Sequence, residues 1–190
     1  RYGEKVWKIS VDAGFSCPNK DCETGEGGCI FCRLDSFSQV ESQQNISVQN
    51  QIQKGLKTGR ERFGINKFIV YFQASTNTFA PVKTLRKLFF NSIKYDGVVG
   101  LSISTRPDCL PPKVIELIGE LSEQLDVWVE LGLQSTHDRT LELINRGHSY
   151  NDYTQAVQKL SQLNVRICTH LMFGLPGETK TDVLETAERI

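Results

Sequence analysis

The segment VWVELGL, at residues 127–133, is an almost continuously apolar run of the length expected for a buried β-strand. Four further segments predict strands, at residues 5–15 (KVWKISVDAGF), 67–73 (KFIVYFQ), 97–104 (GVVGLSIS) and 165–173 (VRICTHLMF). Segments between them predict helices, at residues 43–63, 82–93, 112–125, 138–145, 152–163 and 181–190. Pro81 and Pro112 predict helix starts, and Ser149 with Asp152 predicts a capping pair. This alternation predicts a parallel sheet covered by helices.

The connections between the strands leave two architectures open. Right-handed crossovers are compatible both with a barrel and with an open, doubly wound sheet. In either one, the functional side chains gather at the carboxyl ends of the strands. We therefore expect the site to be built from the loops that follow the strands, at residues 14–34, 73–81, 104–112, 134–137 and 174–178.

Composition narrows the class of protein. The 190 residues are 39% hydrophobic and 23% charged, which is ordinary for a globular domain. Lys and Arg together number 22, as do Asp and Glu, so the balance argues against a strongly basic nucleic-acid surface and leaves a local patch open. No apolar run approaches the roughly 20 residues of a membrane span, so we expect a cytoplasmic protein with no membrane partner. Because the chain begins at Arg1 rather than Met, we expect residues upstream of it.

A Gly-rich loop after the first strand holds four of the six cysteines: Cys17, Cys22, Cys29 and Cys32. Cys29 and Cys32 form a C-x-x-C pair, a spacing that lets two thiolates bind one metal centre. Such clustering favours a metal or iron–sulfur site over a secreted disulfide framework. The spacing C-x4-C-x6-C-x2-C is not that of a zinc ribbon, which favours iron–sulfur. A closed zinc site and a four-cysteine electron-transfer cluster stay open as alternatives.

Several segments, taken together and in order, resemble radical S-adenosylmethionine (SAM) proteins. They are DAGFSCPN at 12–19, GGCIFC at 27–32, YFQASTNTFAP at 71–81, STRPDCL at 104–110, ELGLQSTHDRTLELINRGH at 130–148 and HLMFGLPGE at 170–178. Phe31 matches the aromatic residue that commonly precedes the family's last cysteine. The pattern is similar to the branch of the Elongator catalytic subunit, and within it to an uncharacterised bacterial subgroup of Fe–S oxidoreductases. The fifth and sixth segments also resemble oxygen-independent coproporphyrinogen oxidases.

The resemblance implies an α/β fold, a partial TIM-like barrel of the radical SAM type. Residues 1–190 would form a single core domain that supplies about five of the six βα units of such a barrel. We expect the sixth strand and any C-terminal domain to lie outside this chain.

The resemblance also implies the cofactors and their residues. A [4Fe-4S] cluster would be held by Cys17, Cys29 and Cys32, and SAM would occupy the iron that lacks a protein ligand. One electron would then cleave SAM to a 5′-deoxyadenosyl radical, which abstracts hydrogen from an unknown substrate. The implied SAM-binding positions are Ser75, Thr76, Ser104, Gln134, Arg146, His170 and Gly174. A low-potential electron donor protein is the implied partner.

The sequence departs from the family pattern in three places. The cysteine spacing is wider than C-x3-C-x2-C, and Cys22 competes with Cys17 as a ligand. The family's Gly-Gly-Glu segment is absent from residues 73–78, and Ser104 stands where relatives often carry Glu. A non-catalytic iron–sulfur or zinc module, and a tRNA-modifying radical SAM protein, are the alternative functions.

Some residues allow two interpretations. Arg106 and Asp108 either face a substrate or, for Asp108, cap the next helix. His170 is either a SAM contact or a core histidine with its hydrogen bonds satisfied. Cys109 and Cys168 are expected to be small buried or half-buried residues.

Overall fold

The chain, seen in a computed structural model, is described over residues 2–20, 27–32 and 46–190. Its strands are β1 (Val6–Val11), β2 (Lys67–Phe72), β3 (Val98–Thr105), β4 (Asp126–Gln134) and β5 (Val165–Leu171). Its helices are α1 (Val48–Phe63), α2 (Val82–Ser92), α3 (Pro112–Ser122), α4 (Asp138–Leu143), α5 (Tyr150–Leu160) and α6 (Lys180–Arg189), with a 3₁₀ turn at Pro107–Cys109. Every predicted strand and helix is present, and Ser149 forms the predicted capping box with Asp152.

The first strand is shorter than predicted, and the side chain of Gln51 in α1 explains where it ends. Gln51 accepts a hydrogen bond from the backbone N–H of Asp12 and donates one to the Asp12 carbonyl, both at 2.8 Å. At Asp12 these side-chain bonds take the place of the backbone hydrogen bonds that join paired strands. The Asp12 carboxylate then accepts from the N–H of Gly14, whose φ of 70° turns the chain into the cysteine loop. Predicted helix residues 43–45 lie outside the described residues.

All five strands are parallel and lie in the order β1-β2-β3-β4-β5. A doubly wound sheet reverses its strand order at a switch point, whereas a barrel adds each strand beside the previous one. The sequential order therefore decides between the two predicted architectures in favour of a partial barrel.

The two faces of the sheet differ in character. The face toward the helices is apolar, and its side chains Phe68, Phe72, Leu101, Ile103 and Leu131 are completely buried. The opposite face is polar, because Lys8, Ser102 and His170 of three different strands all bond to Glu130 of β4. A filled barrel core would place bulky branched side chains here, so the polar face indicates a surface that lines a site.

Helix α1 packs close to the sheet because two of its own residues that face the sheet are glycines. A Cβ atom added at Gly59 would come within 2.4 Å of the Phe68 ring, and one at Gly55 within 2.4 Å of Ile9. Phe68 is completely buried and cannot swing away. The close approach of this helix therefore requires residues without a side chain.

We predict that Gly59→Ala destabilises the protein by about 1–3 kcal/mol, because the new methyl group overpacks the contact with Phe68. This reverses the usual sign, since Gly to Ala inside a helix normally stabilises by about 1 kcal/mol. The matched control is Gly119→Ala in α3, where the nearest atom, of Leu163, is 3.4 Å from the new Cβ. Urea unfolding of both variants measures the difference, and equal stabilisation of the two would contradict the prediction.

Candidate functional site

A cavity of about 600 Å³ opens at the carboxyl ends of the strands, where the sequence predicts the site. The predicted residues that line it are Cys17, Cys29, Cys32, Ser75, Thr76, Ser104, Gln134, Arg146 and His170. Gly174 is not part of the lining, and its φ of 78° fits a tight turn after β5. The cavity thus brings together residues from the first four strand-end loops, with Arg146, and from β5 itself, but none from residues 174–178.

Two short turns present the three cysteines to the cavity. The N–H of Lys20 donates to the Cys17 carbonyl, and that of Cys32 to the Cys29 carbonyl, each at 2.9 Å. Cys29 is buried, Cys17 is half-buried and Cys32 is exposed. Burial, together with the nearby charges of Cys29 and Cys17, raises the pKa of the Cys32 thiol. The three sulfurs are therefore close enough to interact electrostatically.

The spacing of the three sulfurs bears on the kind of metal centre. They do not all lie within 4.8 Å of one another, in a search that covered the described residues. Thiolates on one tetrahedral zinc would be about 3.8 Å apart, given Zn–S bonds of about 2.3 Å. The three sulfurs would therefore have to approach one another to bind a single zinc ion. Cys22, the alternative to Cys17, lies outside the described residues.

The linker between α4 and α5 holds the second part of the cysteine loop in place. The N–H of Ile30 donates to the Ile144 carbonyl at 3.1 Å, and the Asn145 side chain donates to the Gly28 carbonyl at 2.9 Å. Asn145 itself has a positive φ of 50°, which turns the chain out of the preceding helix. The loop is therefore fixed by a segment more than a hundred residues later in the chain.

Two N–H groups point at the Cys29 sulfur. The Asn19 amide lies 3.4 Å from it and also donates to the Asn145 carbonyl at 2.6 Å. The Arg146 guanidinium lies 3.5 Å from the same sulfur through Nη1, and its Nη2 donates to the Gly132 carbonyl. Donors of this kind stabilise a thiolate and tune a metal centre that it binds. Sequence reasoning missed Asn19 because an Asn in a turn has many ordinary explanations.

Arg146 fits an anionic ligand in one further respect. Its Nε atom is buried and has no hydrogen-bond partner among the described residues, although the side chain lines the cavity. Buried donors in native proteins are nearly always paired. Gly132 makes room for the side chain, because a Cβ there would come within 2.8 Å of Arg146 Nη2 and 3.0 Å of Gln134 Nε2.

Arg106 lines the cavity and at the same time makes structural contacts. It is 3% exposed, binds Asp108 through two hydrogen bonds of 2.8 and 2.9 Å, and donates to the carbonyls of Arg146 and Gly147. Burial lowers the pKa of this guanidinium, but the pairing with Asp108 outweighs it and raises the pKa. Asp108 is thus engaged by Arg106, so the predicted cap on the next helix is not its main contact. Both side chains hold the linker against the exit of β3.

Glu130 is the centre of the polar face, and sequence reasoning missed its role. It is 4% exposed and accepts hydrogen bonds from Lys8 at 2.6 Å, Ser102 at 2.5 Å and His170 at 2.9 Å. Burial alone would raise the pKa of Glu130, but the bonds from His170, Lys8 and Ser102 outweigh it and hold the pKa well below its usual range. Next to it, Tyr71 bonds to Ser104 at 2.9 Å.

His170 follows neither of its two predicted interpretations completely. Its side chain is 44% exposed and lines the cavity, so it is not a core histidine. One ring nitrogen is nevertheless satisfied, because it bonds to Glu130. The pair therefore presents an oriented imidazole to the cavity.

The backbone at two strand exits is strained where it borders the cavity. Ala74 and Ser75 after β2, and Gln134 at the end of β4, have φ values of 63°, 58° and 80°. Left-handed conformations of non-glycine residues cost of order 1–3 kcal/mol and cluster at functional sites. Asn77 holds the first of these turns by donating to the carbonyls of Ala74 and Ser104.

Comparison with known proteins shows the family to which the chain belongs. The sequence profile described as "Radical SAM superfamily" matches residues 20–190. This chain belongs to the radical SAM superfamily. It is 44% identical to Protein YhcC of Escherichia coli strain K12 over 193 aligned residues, covering 100% of this chain and 60% of YhcC. The chain thus spans about three fifths of the length of that relative.

Two further proteins are similar over different extents. The structure of archaeal Elp3 from Methanocaldococcus infernus superposes on 97% of this chain and 42% of its own with a TM-score of 0.67 at 21% identity, which confirms the fold. A tRNA uridine(34) acetyltransferase from the same organism is 40% identical over 81 residues, covering 43% of this chain and 15% of that protein. Among the described residues, every helix is too short or too polar to cross a membrane.

We predict that Glu130→Gln lowers the free energy of unfolding by about 1–3 kcal/mol near neutral pH, because it weakens the hydrogen bonds to a buried acceptor. The effect depends on pH with a definite sign. Below the ordinary Glu pKa of about 4.3, unfolded Glu130 takes up a proton while folded Glu130 stays ionised, so its stabilisation is lost as the pH falls.

Urea unfolding at about pH 7 and about pH 4 tests this, and the difference between wild type and variant is expected to shrink at the lower pH. Glu116→Gln, at an exposed position on α3, is the matched control and is expected to change stability by less than about 0.5 kcal/mol. If Glu130→Gln is as stable as wild type at both pH values, the hydrogen bonds to Glu130 contribute nothing to stability.

Proposed function

We propose that this chain binds a [4Fe-4S] cluster through Cys17, Cys29 and Cys32, binds SAM beside it, and uses the resulting 5′-deoxyadenosyl radical to abstract hydrogen from a substrate. The observation that carries the proposal is the convergence of these three cysteines on one cavity lined by the other predicted residues. When bound, the cluster supplies the electron that cleaves the sulfonium bond of SAM, and a low-potential donor protein would replace that electron.

The cysteines differ in ways that suit this role. Cys29 is buried and faces two N–H donors, which stabilise its thiolate, whereas Cys32 is exposed at the cavity mouth. Three protein ligands leave one iron of a four-iron cluster free for another ligand. The cationic Arg146 next to Cys29 offsets the accumulated negative charge of the thiolates.

The remaining predicted residues supply polar groups for SAM. Gln134 and Ser104 offer amide and hydroxyl groups at the ends of β4 and β3, and His170 offers its imidazole from β5. Ser75 and Thr76 would act through the backbone of a turn that Asn77 already holds in place. Because these polar groups are already held in position, they orient a cofactor with little loss of conformational entropy on binding. Gly174 would act through the turn after β5.

A non-catalytic metal module is the less favoured alternative. A structural centre needs its ligands and a closed surface, but it does not need a cavity of about 600 Å³ beside the ligands. It also gives no reason for the strained backbone at Ser75 and Gln134. These features favour a site that binds a second, organic molecule.

A second candidate function is that the chain acts on RNA. The similarity to a tRNA uridine(34) acetyltransferase covers 43% of this chain and lies within a family whose members act on different molecules. The substrate of the proposed radical reaction would then be a nucleotide of an RNA.

We predict that anaerobic reconstitution with iron and sulfide gives about four irons per chain, and that Cys17→Ala, Cys29→Ala or Cys32→Ala abolishes the cluster. The reduced protein should show a [4Fe-4S] EPR signal that changes shape when SAM is added, because SAM reaches the iron without a protein ligand.

Cys109→Ala and Cys168→Ala are the matched controls, since Cys109 is buried at the exit of β3 and Cys168 lies within β5, and both should keep iron and signal. Cys22→Ala should also keep the cluster. Loss of the cluster in Cys22→Ala with retention in Cys17→Ala would reassign the first ligand. One tightly bound zinc per chain and no cluster would favour the structural module instead.

A further inference from the structure

The zero net charge of this chain conceals a strong segregation of charge. Residues 48–96 contain nine Lys and Arg but only two Asp and Glu, whereas residues 97–190 contain eight Lys and Arg and thirteen Asp and Glu. The first of these segments therefore carries a net charge of +7 and the second one of −5. The overall balance of charge, which leaves a local patch open, does not reveal this difference.

The fold places most of these positive charges on one surface, the outer face of α1 and α2, which we call the basic face. Its exposed cations are Lys54, Lys57, Arg60, Arg62, Lys83, Arg86 and Lys87. Glu61 is the single acidic residue within these two helices. The two helices contact each other, so their exposed cations lie on neighbouring surfaces.

Several of these cations have no counter-charge within the described part of the chain. Arg86 pairs with Glu120, Arg60 lies 3.0 Å from Asp96, and Lys57 lies 3.9 Å from Glu61. The other four form no ion pair with any described residue: Lys54, Arg62, Lys83 and Lys87. Holding like charges together without partners is unfavourable, and a polyanion would relieve it.

The basic face adjoins the cavity. Helix α1 begins beside the cysteine loop, where Gln51 bonds to Asp12, and α2 begins directly after the turn that carries Ser75 and Thr76. Phe79 lies between that turn and α2 and is 44% exposed. A polymer bound along the two helices would therefore reach the cavity rim at an exposed aromatic ring.

The patch also carries two exposed aromatic rings. Phe63, next to Arg62 at the far end of α1, is 51% exposed and stacks on Trp7 with ring centroids 4.3 Å apart. Cations that follow a backbone, combined with aromatic rings on which bases stack, are the usual elements of a surface for single-stranded nucleic acid. Phe63 and Phe79 provide such rings at the two ends of the patch.

We propose that the basic face binds RNA and holds one of its nucleotides near the cavity. The choice of RNA rests on the second candidate under the proposed function, while the surface itself rests on charge, exposure and position. Lys54, Lys57 and Lys87 contact phosphates, and Phe79 stacks on a base at the cavity rim.

The test is fluorescence anisotropy of labelled, unfractionated tRNA titrated with the reconstituted chain over a range of salt concentrations. One variant carries Lys54→Glu, Lys57→Glu and Lys87→Glu, and the matched control carries Lys113→Glu, Lys159→Glu and Lys180→Glu at exposed positions on α3, α5 and α6. Both variants change the net charge by the same amount. Iron content and circular dichroism are measured on the same samples.

The basic-face variant is expected to lose at least about tenfold in affinity, and its slope of log K against log salt should fall by about 2–3, because each lost phosphate contact removes about 0.7–0.9. The control should bind within about threefold of wild type. Phe79→Ala should weaken binding by about tenfold with an unchanged salt slope, since stacking releases no counterions.

Three outcomes would overturn the proposal: a folded wild type that does not bind tRNA, equal loss in the two charge variants, or duplex DNA or anionic lipid vesicles bound as tightly as tRNA. The iron content separates this inference from the proposed function. A chain that forms the cluster without binding tRNA refutes only the docking surface, and one that binds tRNA without a cluster refutes only the radical chemistry.

Discussion

The candidate site depends on the hydrogen bonds that the buried Arg106 makes to the linker at residues 144–148. Arg106, charged and fixed by Asp108, donates to the carbonyls of Arg146 and Gly147, and so locks the linker against the end of β3. The linker in turn holds the cysteine loop through Ile144 and Asn145. Gly147 is required there, because its φ is 71° and a Cβ would lie 2.4 Å from Asn19 Oδ1. An unpaired Arg106 would be a buried charge, which is far costlier than a missing surface contact.

The inner face of the sheet also depends on a buried charged group whose hydrogen bonds are satisfied, unlike an ordinary barrel core. Five strands could pack branched side chains inside, but this chain instead satisfies one buried carboxylate, Glu130, with donors from three other strands. A fully satisfied polar network is rigid and specific, whereas a partly satisfied one is costly. The protein thereby keeps polar groups such as His170 and Tyr71 next to an open cavity. The polar face and the strained turns at Ser75 and Gln134 lower the stability of the fold. Both hold polar groups of the site in fixed positions.

Two surfaces of different character meet at the cavity rim. The cavity collects single polar groups from the strand ends, as parallel α/β folds generally do. The basic face collects charges from two consecutive helices, whereas residues 97–190 carry a net charge of −5. A net charge of zero therefore describes neither surface. The sum is insensitive to where charges lie, while binding depends on local potential.

The sequence by itself determined the five strands, the order of the βα units and the cysteine loop, because apolar periodicity and clustered cysteines are local patterns. It also predicted Ser104, Gln134 and Arg146 as site residues, through a resemblance carried by short strand-end segments, and all three line the cavity. The tertiary structure alone decided that the sheet is sequentially wound, that Glu130 joins Lys8 and His170, and that Asn19 and Arg146 both face Cys29. The residues of these pairs are 10 to 122 positions apart in the chain. Contacts of that kind are set by strand register and loop docking, which no local pattern of side chains encodes.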